Sequence, residues 1–533
     1  MDKSSRNTVI IITACFLFLL LLIFKVIPLF SGFFVMLINY SPFKGFINST
    51  FVGFRNFSMT FSNYAFWSAL FNSIKINLLY LALVIALAYL LALSLRGLNK
   101  RLQNVFLSII LIPLFIPGSV MARIVFFWFK GTTVLASANS FPFVYAFTLA
   151  VKNVGIPSVF MLKTWQMQRG NIKKTGFEKL MAPLAFVLIQ CTSILSTDMN
   201  IMQTLINPLV YKTSDVLDTY IYRIGFLGGG ISQAQSVWFI QFFVHLVIGI
   251  IVYFLMRRVI SWQSSFSTSN VPDASDAEDS KTIKPVGLVI PIIYSLFIVW
   301  FILKPLIVEG ITGIFGIFSN FAGAFFVSYI KYIIIYGLIA LIGVPITVVL
   351  AKSILIKGAF GKLSRAFHVL LLLAGGMGMH QYLFMRSLGL IDTAFALVLY
   401  YAFPIANSLV LAAILYFKKQ EVENSNQMEE PSAWKPAFIL GVIQFIVMWN
   451  SEHIPLIIFS RQENMLPLLF ARTIMQLNPG SDMAGNLVLQ TDLSTLLYSF
   501  DLFIVILPVT LFFIFRRRIT EGILFAFTRN GSR

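Results

Sequence analysis

The chain has 533 residues, of which 58% are hydrophobic and only 11% charged, and its net charge at pH 7 is +19. Soluble proteins carry roughly 25% charged residues, so a water-soluble globular fold is excluded and the lipid bilayer is the predicted solvent. Lys and Arg cluster at the ends of alternate apolar runs, as at 96–101, 352–365 and 516–518. This is the positive-inside pattern of membrane proteins, and no nucleic-acid partner is predicted.

Twelve apolar runs follow one another along the chain, each near the roughly 20 residues that cross a bilayer as a helix. A transmembrane β-barrel is disfavoured because its strands would alternate apolar and polar residues. The sequence therefore predicts an all-α polytopic membrane protein with about twelve transmembrane helices, at residues 8–36, 72–96, 103–128, 141–162, 180–203, 236–256, 286–305, 328–352, 366–385, 393–417, 437–459 and 500–515.

A polar, serine-rich stretch divides the chain into two halves. The predicted units are a first transmembrane domain at 1–258, a cytoplasmic polar linker at 259–285 and a second transmembrane domain at 286–533. Six helices on each side of a cytoplasmic linker give both halves the same orientation. This favours two parallel six-helix repeats with a pathway between them over two unrelated fused domains. An even number of helices with basic segments at both ends places both termini in the cytoplasm.

Several motifs in the first half carry a resemblance to a known family. The segment YSPFKG at 40–45 precedes FVGFRNF at 51–57, and the strings NPLVY at 207–211 and DVLDTYIYRIG at 215–225 follow the fifth predicted helix. These segments resemble the permease subunits of binding-protein-dependent ABC importers of the saccharide type. The last two strings are similar to one branch of that family, which imports complex polysaccharides and oligosaccharides.

The second half resembles the partner permease of the same branch, through Tyr382, LGLIDT at 388–393 and Trp449-Asn450. The resemblance covers nearly the whole chain outside the linker and implies two permease subunits fused in one chain. It further implies a multi-pass protein of the bacterial cytoplasmic membrane that imports an oligosaccharide or a polysaccharide fragment. The implied partners are a solute-binding lipoprotein outside and a cytoplasmic ABC ATPase dimer inside.

The loops that would contact the ATPase depart from the family pattern. Such permeases carry a Glu-Ala-Ala signature and a later Gly in a cytoplasmic loop, which forms a short helix that docks in the ATPase. Here the resemblance points to docking candidates Thr164, Trp165, Gln166, Gly170, Phe177 and Pro183 in the first half and Lys418, Glu421, Glu423 and Pro431 in the second. Both loops are too short for a full docking helix. Either a shorter helix still docks, or ATPase coupling is lost and the fold serves as a membrane scaffold or sensor.

A few polar and aromatic residues fall at membrane depth, where charged groups are costly and usually face a cavity or a partner. A saccharide pathway would use carboxylates and amides to bind hydroxyls and Trp rings to stack on sugars. The candidates are Asp198, Trp238, Trp449, Asn450 and Glu452. The alternative is that they bond to neighbouring helices and hold the bundle together. Asn450 and Trp449 are preferred to the nearby histidines because the resemblance supports them.

Motifs for enzymatic chemistry are absent from the sequence. It contains no Walker-type nucleotide loop, no HExxH and no CxxC, so the protein is predicted not to be an enzyme, and a separate partner subunit would hydrolyse ATP. Cys15 and Cys191 lie inside apolar runs and indicate neither a disulfide framework nor a metal site. No cofactor is predicted. An ion-driven transporter is disfavoured because the acidic candidates lie near helix ends rather than in a mid-membrane relay.

Overall fold

The computed structural model describes residues 3–167, 176–265, 286–314, 322–373, 378–424, 432–459 and 493–525, together with 317 and 467. Helices account for nearly all the regular structure in these ranges. A single short antiparallel pair, β1 (Ile38–Asn39) and β2 (Thr50–Phe51), forms the one sheet found in the described part of the chain.

The first half contains thirteen α-helices within the described residues. Asn side chains begin two of the longer ones: Asn63 accepts a hydrogen bond from the Ala65 amide at 2.9 Å, and Asn99 accepts one from Leu102 at 2.9 Å, which is typical N-capping. The helices are α1 (Lys3–Leu21), α2 (Ile27–Val35), α3 (Arg55–Phe61), α4 (Tyr64–Leu95), α5 (Lys100–Leu111), α6 (Gly118–Phe129), α7 (Phe141–Asn153), α8 (Gly155–Met167), α9 (Gly176–Cys191), α10 (Met199–Leu205), α11 (Tyr211–Ser214), α12 (Leu217–Tyr222) and α13 (Ile231–Ser265).

The second half follows with ten α-helices in the described ranges. They are α14 (Val286–Ile298), α15 (Gly310–Thr312), α16 (Ala322–Leu355), α17 (Ala359–Leu373), α18 (Met379–Ser387), α19 (Ala394–Tyr401), α20 (Ile405–Asn424), α21 (Trp434–Trp449), α22 (His453–Ile458) and α23 (Leu493–Phe525). Two π-helices, Leu22–Val26 and Val299–Glu309, continue the first long helix of each half.

Seven helical stretches among the described residues are long and apolar enough to cross a membrane: Asn7–Val35, Tyr64–Leu95, Ile231–Met256, Gly287–Thr312, Gly323–Leu355, Ala394–Tyr416 and Thr495–Ile519. Two further helix pairs are long and apolar enough when each pair is taken together, but each is bent at a short break. The bend is 96° between Lys100–Phe115 and Gly118–Phe129 and 50° between Phe141–Asn153 and Gly155–Gln166. The prediction of an all-α polytopic membrane protein is confirmed. The number of twelve helices stays a prediction.

Proline explains the sharper of the two bends. Pro113 and Pro117 flank the break between α5 and α6, and a proline removes a backbone donor and excludes the helical carbonyl four residues earlier. At the other bend, a Cβ added to Gly155 would lie 2.7 Å from Leu111 Cδ2 and 3.2 Å from the Ile110 carbonyl oxygen. Glycine there lets α8 approach the α5 backbone closely.

Two predicted helices are interrupted where polar residues occur together. The predicted helix 180–203 ends at Cys191 and resumes at Met199, and the predicted helix 437–459 ends at Trp449 and resumes at His453. The intervening residues include Ser, Thr, Asp, Asn and Glu. Short polar side chains compete for backbone hydrogen bonds and favour caps over helix interiors, so these breaks follow from local chemistry that hydropathy alone does not register.

The first long helix of each half packs on the other half. Helix α1 packs against α16 and α2 packs against α18, while α14 packs against α4 and α5. The two halves are therefore joined by exchanged helices as well as by a shared apolar core, in which the rings of Phe115 and Phe512 stack at 4.4 Å.

The π-helices Leu22–Val26 and Val299–Glu309 each carry a lysine that lies against an aromatic ring of the opposite half. Lys25 Nζ is 4.4 Å from the ring centroid of Tyr400, and Lys304 Nζ is 5.7 Å from that of Trp128 and 4.1 Å from that of Trp300 in its own half. Cation–π contacts of this kind stabilise a lysine that is withdrawn from water. The pairing is reciprocal between the halves.

Candidate functional site

A cavity of about 940 Å³ lies between the two halves. Helix α13 supplies one wall, and the lining residues recur at intervals of three and four, which places them on one helical face: Trp238, Gln241, Phe242, His245, Leu246, Gly249, Ile250, Tyr253 and Phe254. Such a volume falls within the range of roughly 300–1,000 Å³ that is usual for small-molecule sites.

The remaining walls come from both halves. The first half contributes residues of the break after α9, the first residue of α10 and the segment that begins with α12, namely Ser196, Thr197, Met199, Asp218, Ile221, Tyr222 and Phe226. The second half contributes Val369, Leu372, Gly378, Met379, His453 and Ile454. Because both halves line it, any relative movement of the halves changes the shape of the cavity.

A hydrogen-bond network around Asp218 forms the polar part of the lining. The Asp218 carboxylate accepts from the Thr197 amide at 2.7 Å, from Thr197 Oγ1 at 3.2 Å and from Gln241 Nε2 at 2.8 Å. His245 Nε2 accepts from the Leu195 amide at 3.2 Å. Asp218 lies in α12, outside the spanning helices; burial raises the pKa of its carboxyl, although the hydrogen bonds from Gln241 and Thr197 act in the opposite direction.

The polar network lies near the middle of the membrane-spanning part of α13, Ile231–Met256. Gln241 is ten residues from Ile231, the first residue of the helix, which is about 15 Å of helix in a bilayer core about 30 Å thick. From Leu246 to Phe254 the same face is apolar and aromatic, apart from the Tyr253 hydroxyl. The cavity is thus polar near the membrane middle and apolar towards the end of α13 that the positive-inside pattern assigns to the cytoplasm.

Asp198 organises the break beside this cavity. Its carboxylate caps α10 by accepting from the amides of Asn200 at 3.1 Å and Ile201 at 3.3 Å, and it forms an ion pair with Lys152 of α7 at 2.9 Å. The hydroxyl of Tyr145 accepts a further hydrogen bond from the Asp198 amide at 3.1 Å. Both carboxylate oxygens are therefore engaged with the protein itself.

The breaks in the two halves contact one another. Asn200 Oδ1, in the first half, accepts from the amides of Glu452 at 2.9 Å and His453 at 3.0 Å, where α22 begins. In return, Asn450 Nδ2 donates to the Phe115 carbonyl at 3.1 Å, beside the break between α5 and α6. Each half thus supplies an amide side chain to backbone groups that a helix break has left available in the other half.

Replacing Asn200 with Ala is expected to lower the free energy of unfolding by about 1–3 kcal/mol, because two buried backbone donors would lose their common acceptor. Thermal unfolding of the purified protein in detergent would measure this. Asn104→Ala offers a control, because the Asn104 side chain is exposed on α5, and should leave the midpoint nearly unchanged. Equal effects of the two substitutions would contradict the assigned role of Asn200.

The predicted pathway residues lie in three different places. Trp238 lines the cavity, and its ring lies 4.5 Å from that of His380 and 5.4 Å from that of Phe242. Three candidates lie at the contacting helix breaks after α9 and α21, next to the cavity but not in its described lining: Asp198, Asn450 and Glu452. Trp449 is buried in the second half, where its indole N–H donates to the Ile504 carbonyl at 3.0 Å.

Sequence analysis did not select the residues that form the polar network. Asp218 belongs to the family-like string at 215–225, and Gln241 and His245 are spaced by four residues on the helix that carries Trp238. That spacing puts all three α13 residues on one face and was the available signal. His453 also lines the cavity, although the resemblance favoured Asn450 and Trp449 over the histidines.

The first-half docking candidates face inwards where their side chains are described. Trp165 is 2% exposed, with its ring edge-on to Tyr89 at 5.4 Å, and Gln166 Nε2 donates to Gln103 Oε1 at 3.0 Å. Thr164 is half-buried on the same helix and Pro183 is buried within α9. Two candidates, Gly170 and Pro431, lie outside the described residues, and the side chains of four others do too: Phe177, Lys418, Glu421 and Glu423.

No cluster of three or more His, Cys, Asp or Glu side chains suited to a metal ion occurs in the described ranges. The sequence matches no protein-family model and no curated protein. Two solved structures are similar: a bacterial alginate ABC transporter in complex with an alginate pentasaccharide-bound periplasmic protein (21% identity, TM-score 0.41), and a bacterial ABC transporter involved in the import of the acidic polysaccharide alginate (20% identity, TM-score 0.40). Each match covers 48% of this chain and 96% of the other chain.

Proposed function

We propose that this chain is the membrane-spanning permease component of a binding-protein-dependent ABC importer for an oligosaccharide or a polysaccharide fragment. The observation that carries the proposal is the cavity between the halves, which combines a polar network near the membrane middle with several aromatic rings: Tyr222, Phe226, Trp238, Phe242, Tyr253 and Phe254. Aromatic faces and a few placed polar groups are usual in small-molecule sites. The family-like strings in both halves support the same interpretation.

We further propose that the fold consists of two parallel repeats of six membrane helices, fused through the cytoplasmic linker in a bacterial cytoplasmic membrane with both termini inside. Three features support this repeat: the first helix of each half packs on the other half, each first helix contains a π-helix with a lysine, and α9 and α21 are each followed by a break and a short helix. Transporters built from such repeats bind substrate between the repeats near the midplane.

In this proposal a lipoprotein delivers the saccharide to the outer segments, and the halves rock about the axis between them. Rings such as Trp238 stack on sugar faces, while Gln241 and Asp218 offer hydrogen bonds to hydroxyls. The chain itself is not an enzyme, and a separate cytoplasmic ATPase dimer supplies ATP hydrolysis. The helix breaks at Asp198 and Asn450 act as positioning elements: Asn450 holds the second half against the first through the Phe115 carbonyl, and Asp198 fixes its break against α7 within the first half.

The inward orientation of Trp165 and Gln166 favours a second candidate function. Trp165 is buried and the amide nitrogen of Gln166 is engaged by Gln103, and both docking loops are short in the sequence. The alternative is therefore a transport-fold membrane scaffold or sensor that has lost ATPase coupling while keeping its lipoprotein partner.

Purification of the tagged protein from its own host in mild detergent, followed by mass spectrometry of the associated proteins, tests these alternatives. A lipoprotein with a near-stoichiometric ATPase is the expected result for an importer. A lipoprotein without an ATPase would overturn the importer in favour of the scaffold or sensor. If neither accompanies the protein, both proposals fail.

Trp238→Ala is expected to lower the initial rate of uptake of the delivered saccharide at least about tenfold, because an aromatic contact buried in a binding pocket commonly contributes 2 kcal/mol or more. Radiolabelled uptake into host cells measures the rate, with the amount of protein in the membrane determined by immunoblot. Trp67→Ala is the matched control, since this Trp is partly exposed outside the cavity. Equal uptake by the two variants would remove Trp238 from the pathway.

A further inference from the structure

We infer that the cavity between the halves selects neutral, hydroxyl-rich saccharides and discriminates against saccharides that carry carboxylates. The inference rests on the proposed function and specifies its substrate class. It follows from the charges that line the cavity and from unpaired neutral polar groups near one wall.

The described lining contains no Lys or Arg, and its one acidic side chain is Asp218. Two of the nearby cations are already in ion pairs, Arg223 with Asp215 and Lys152 with Asp198. An oligosaccharide made of uronic acids carries a carboxylate on every ring. Each of these would lose water without meeting a cation, which disfavours its entry, and Asp218 would repel it if ionised.

Three buried polar side chains occur near the wall formed by Trp238 and Gly378. His380 lies beside both residues, and Gln381 follows it in the chain. Gln235 lies near His380, because a Cβ added at Gly32 would be 2.7 Å from Gln235 Nε2 and 2.8 Å from His380 Cβ. Gln235, His380 and Gln381 are 0%, 0% and 2% exposed, and none of their side-chain nitrogen or oxygen atoms has a hydrogen-bond partner within the described part of the chain. The His380 ring is 4.5 Å from that of Trp238, and a Cβ added at Gly378 would lie 2.5 Å from His380 Cε1. A buried polar group without a partner is costly.

The chemistry of these groups matches sugar hydroxyls. Each carboxamide offers both donors and acceptors and carries no charge, so hydroxyls, which also donate and accept, can satisfy both kinds of atom. A carboxylate is an acceptor only and cannot donate to a carboxamide oxygen, so each hydroxymethyl group that is replaced by a carboxylate removes one donor. Lys25 is a cation that acts electrostatically on His380, but its ammonium lies over the Tyr400 ring and it is not part of the described lining.

The position of the polar groups also distinguishes a sugar from a membrane lipid. A lipid of the inner leaflet would place its head group at the membrane surface and its chains towards the middle. The cavity has the opposite polarity, since Gln241 and Asp218 lie near the middle and Tyr253 and Phe254 lie near the end of the span. A polar solute in transit fits this arrangement better.

The test uses the full-length protein in detergent and pairs of linear trisaccharides that differ only at carbon 6, which is a hydroxymethyl group in one member and a carboxylate in the other. Gluco, manno and galacto pairs cover the common ring stereochemistries. Binding is followed by tryptophan fluorescence up to the millimolar range, with Trp238→Phe identifying the signal that arises in the cavity. At least one neutral trisaccharide is expected to bind about tenfold or more tightly than its acidic counterpart.

Salt dependence provides a second measurement. Binding of the neutral sugar should be unchanged between low and high ionic strength, whereas binding through a cation would weaken as salt is added. If an acidic trisaccharide binds better than its neutral counterpart, the inference is overturned, while the importer proposal stands. If no saccharide of either kind binds and a lipid is found in the cavity instead, the inference and the saccharide pathway fail together.

Discussion

Replacing Asp501 with Ala is expected to lower the free energy of unfolding by about 3–5 kcal/mol, because it would leave the guanidinium of Arg123 buried without its main counter-charge. Asp501 of α23 accepts from Arg123 Nε at 2.8 and 3.0 Å and from Nη2 at 2.6 Å, and the two side chains are 0% and 1% exposed. Since Arg123 belongs to α6, this pair joins the two halves. Thermal unfolding followed by size-exclusion chromatography in detergent would measure the loss.

The double variant Arg123→Met with Asp501→Leu is the control for this prediction. Replacing a buried ion pair by apolar side chains of similar size is often neutral or stabilising, so the double variant should recover most of the lost stability. A double variant as unstable as Asp501→Ala would show that packing around these positions, rather than the unpaired charge, causes the loss.

Asp198→Ala is the other substitution with a large expected effect, again about 3–5 kcal/mol. It would leave the buried Lys152 ammonium unpaired and would remove the N-cap of α10. Asp198→Asn separates the two contributions, because the amide oxygen can still accept from the Asn200 and Ile201 amides while the charge is lost. Denaturation of all three proteins in the same detergent gives the comparison.

Combining Asp198→Asn with Lys152→Met tests whether charge is the dominant cause. This double variant keeps the cap and removes both charges, so its stability should exceed that of Asp198→Asn alone. If the two are equally unstable, the unpaired ammonium of Lys152 is not the cause of the loss. Because the break lies next to the cavity, the same variants should also alter binding measured through Trp238.

That the fold is a membrane fold could be predicted from the sequence, because every residue of a membrane-spanning run contributes to its high hydropathy. The spans around residues 64–95 and 231–256 are visible as hydropathy alone. The breaks at Asp198 and Asn450 could not be predicted from hydropathy, because a short polar cluster within an apolar run changes the mean hydropathy of that run only slightly. Their side chains also bind partners in distant segments, Lys152 for Asp198 and the Phe115 carbonyl for Asn450.

The candidate site was predictable only in part, for a similar reason. Trp238 could be selected as an aromatic residue in an apolar helix. Asp218 became relevant only because the chain brings it next to Gln241, 23 residues later, and to Thr197, 21 residues earlier. Trp449, whose family-like context predicts a pathway residue, donates its indole N–H to the Ile504 carbonyl of α23, and its place in the pathway stays a prediction.

The exchange of first helices between the halves has a consequence for biosynthesis. Helix α16, against which α1 packs, begins at Ala322, 287 residues after α2 ends at Val35. At a synthesis rate of about 5–20 residues per second, α1 waits on the order of tens of seconds for its partner. Helix α14, in contrast, enters a membrane that already contains α4 and α5. If a ribosome stalled within the linker, neither the contact of α1 with α16 nor the contacts of α14 with α4 and α5 could form.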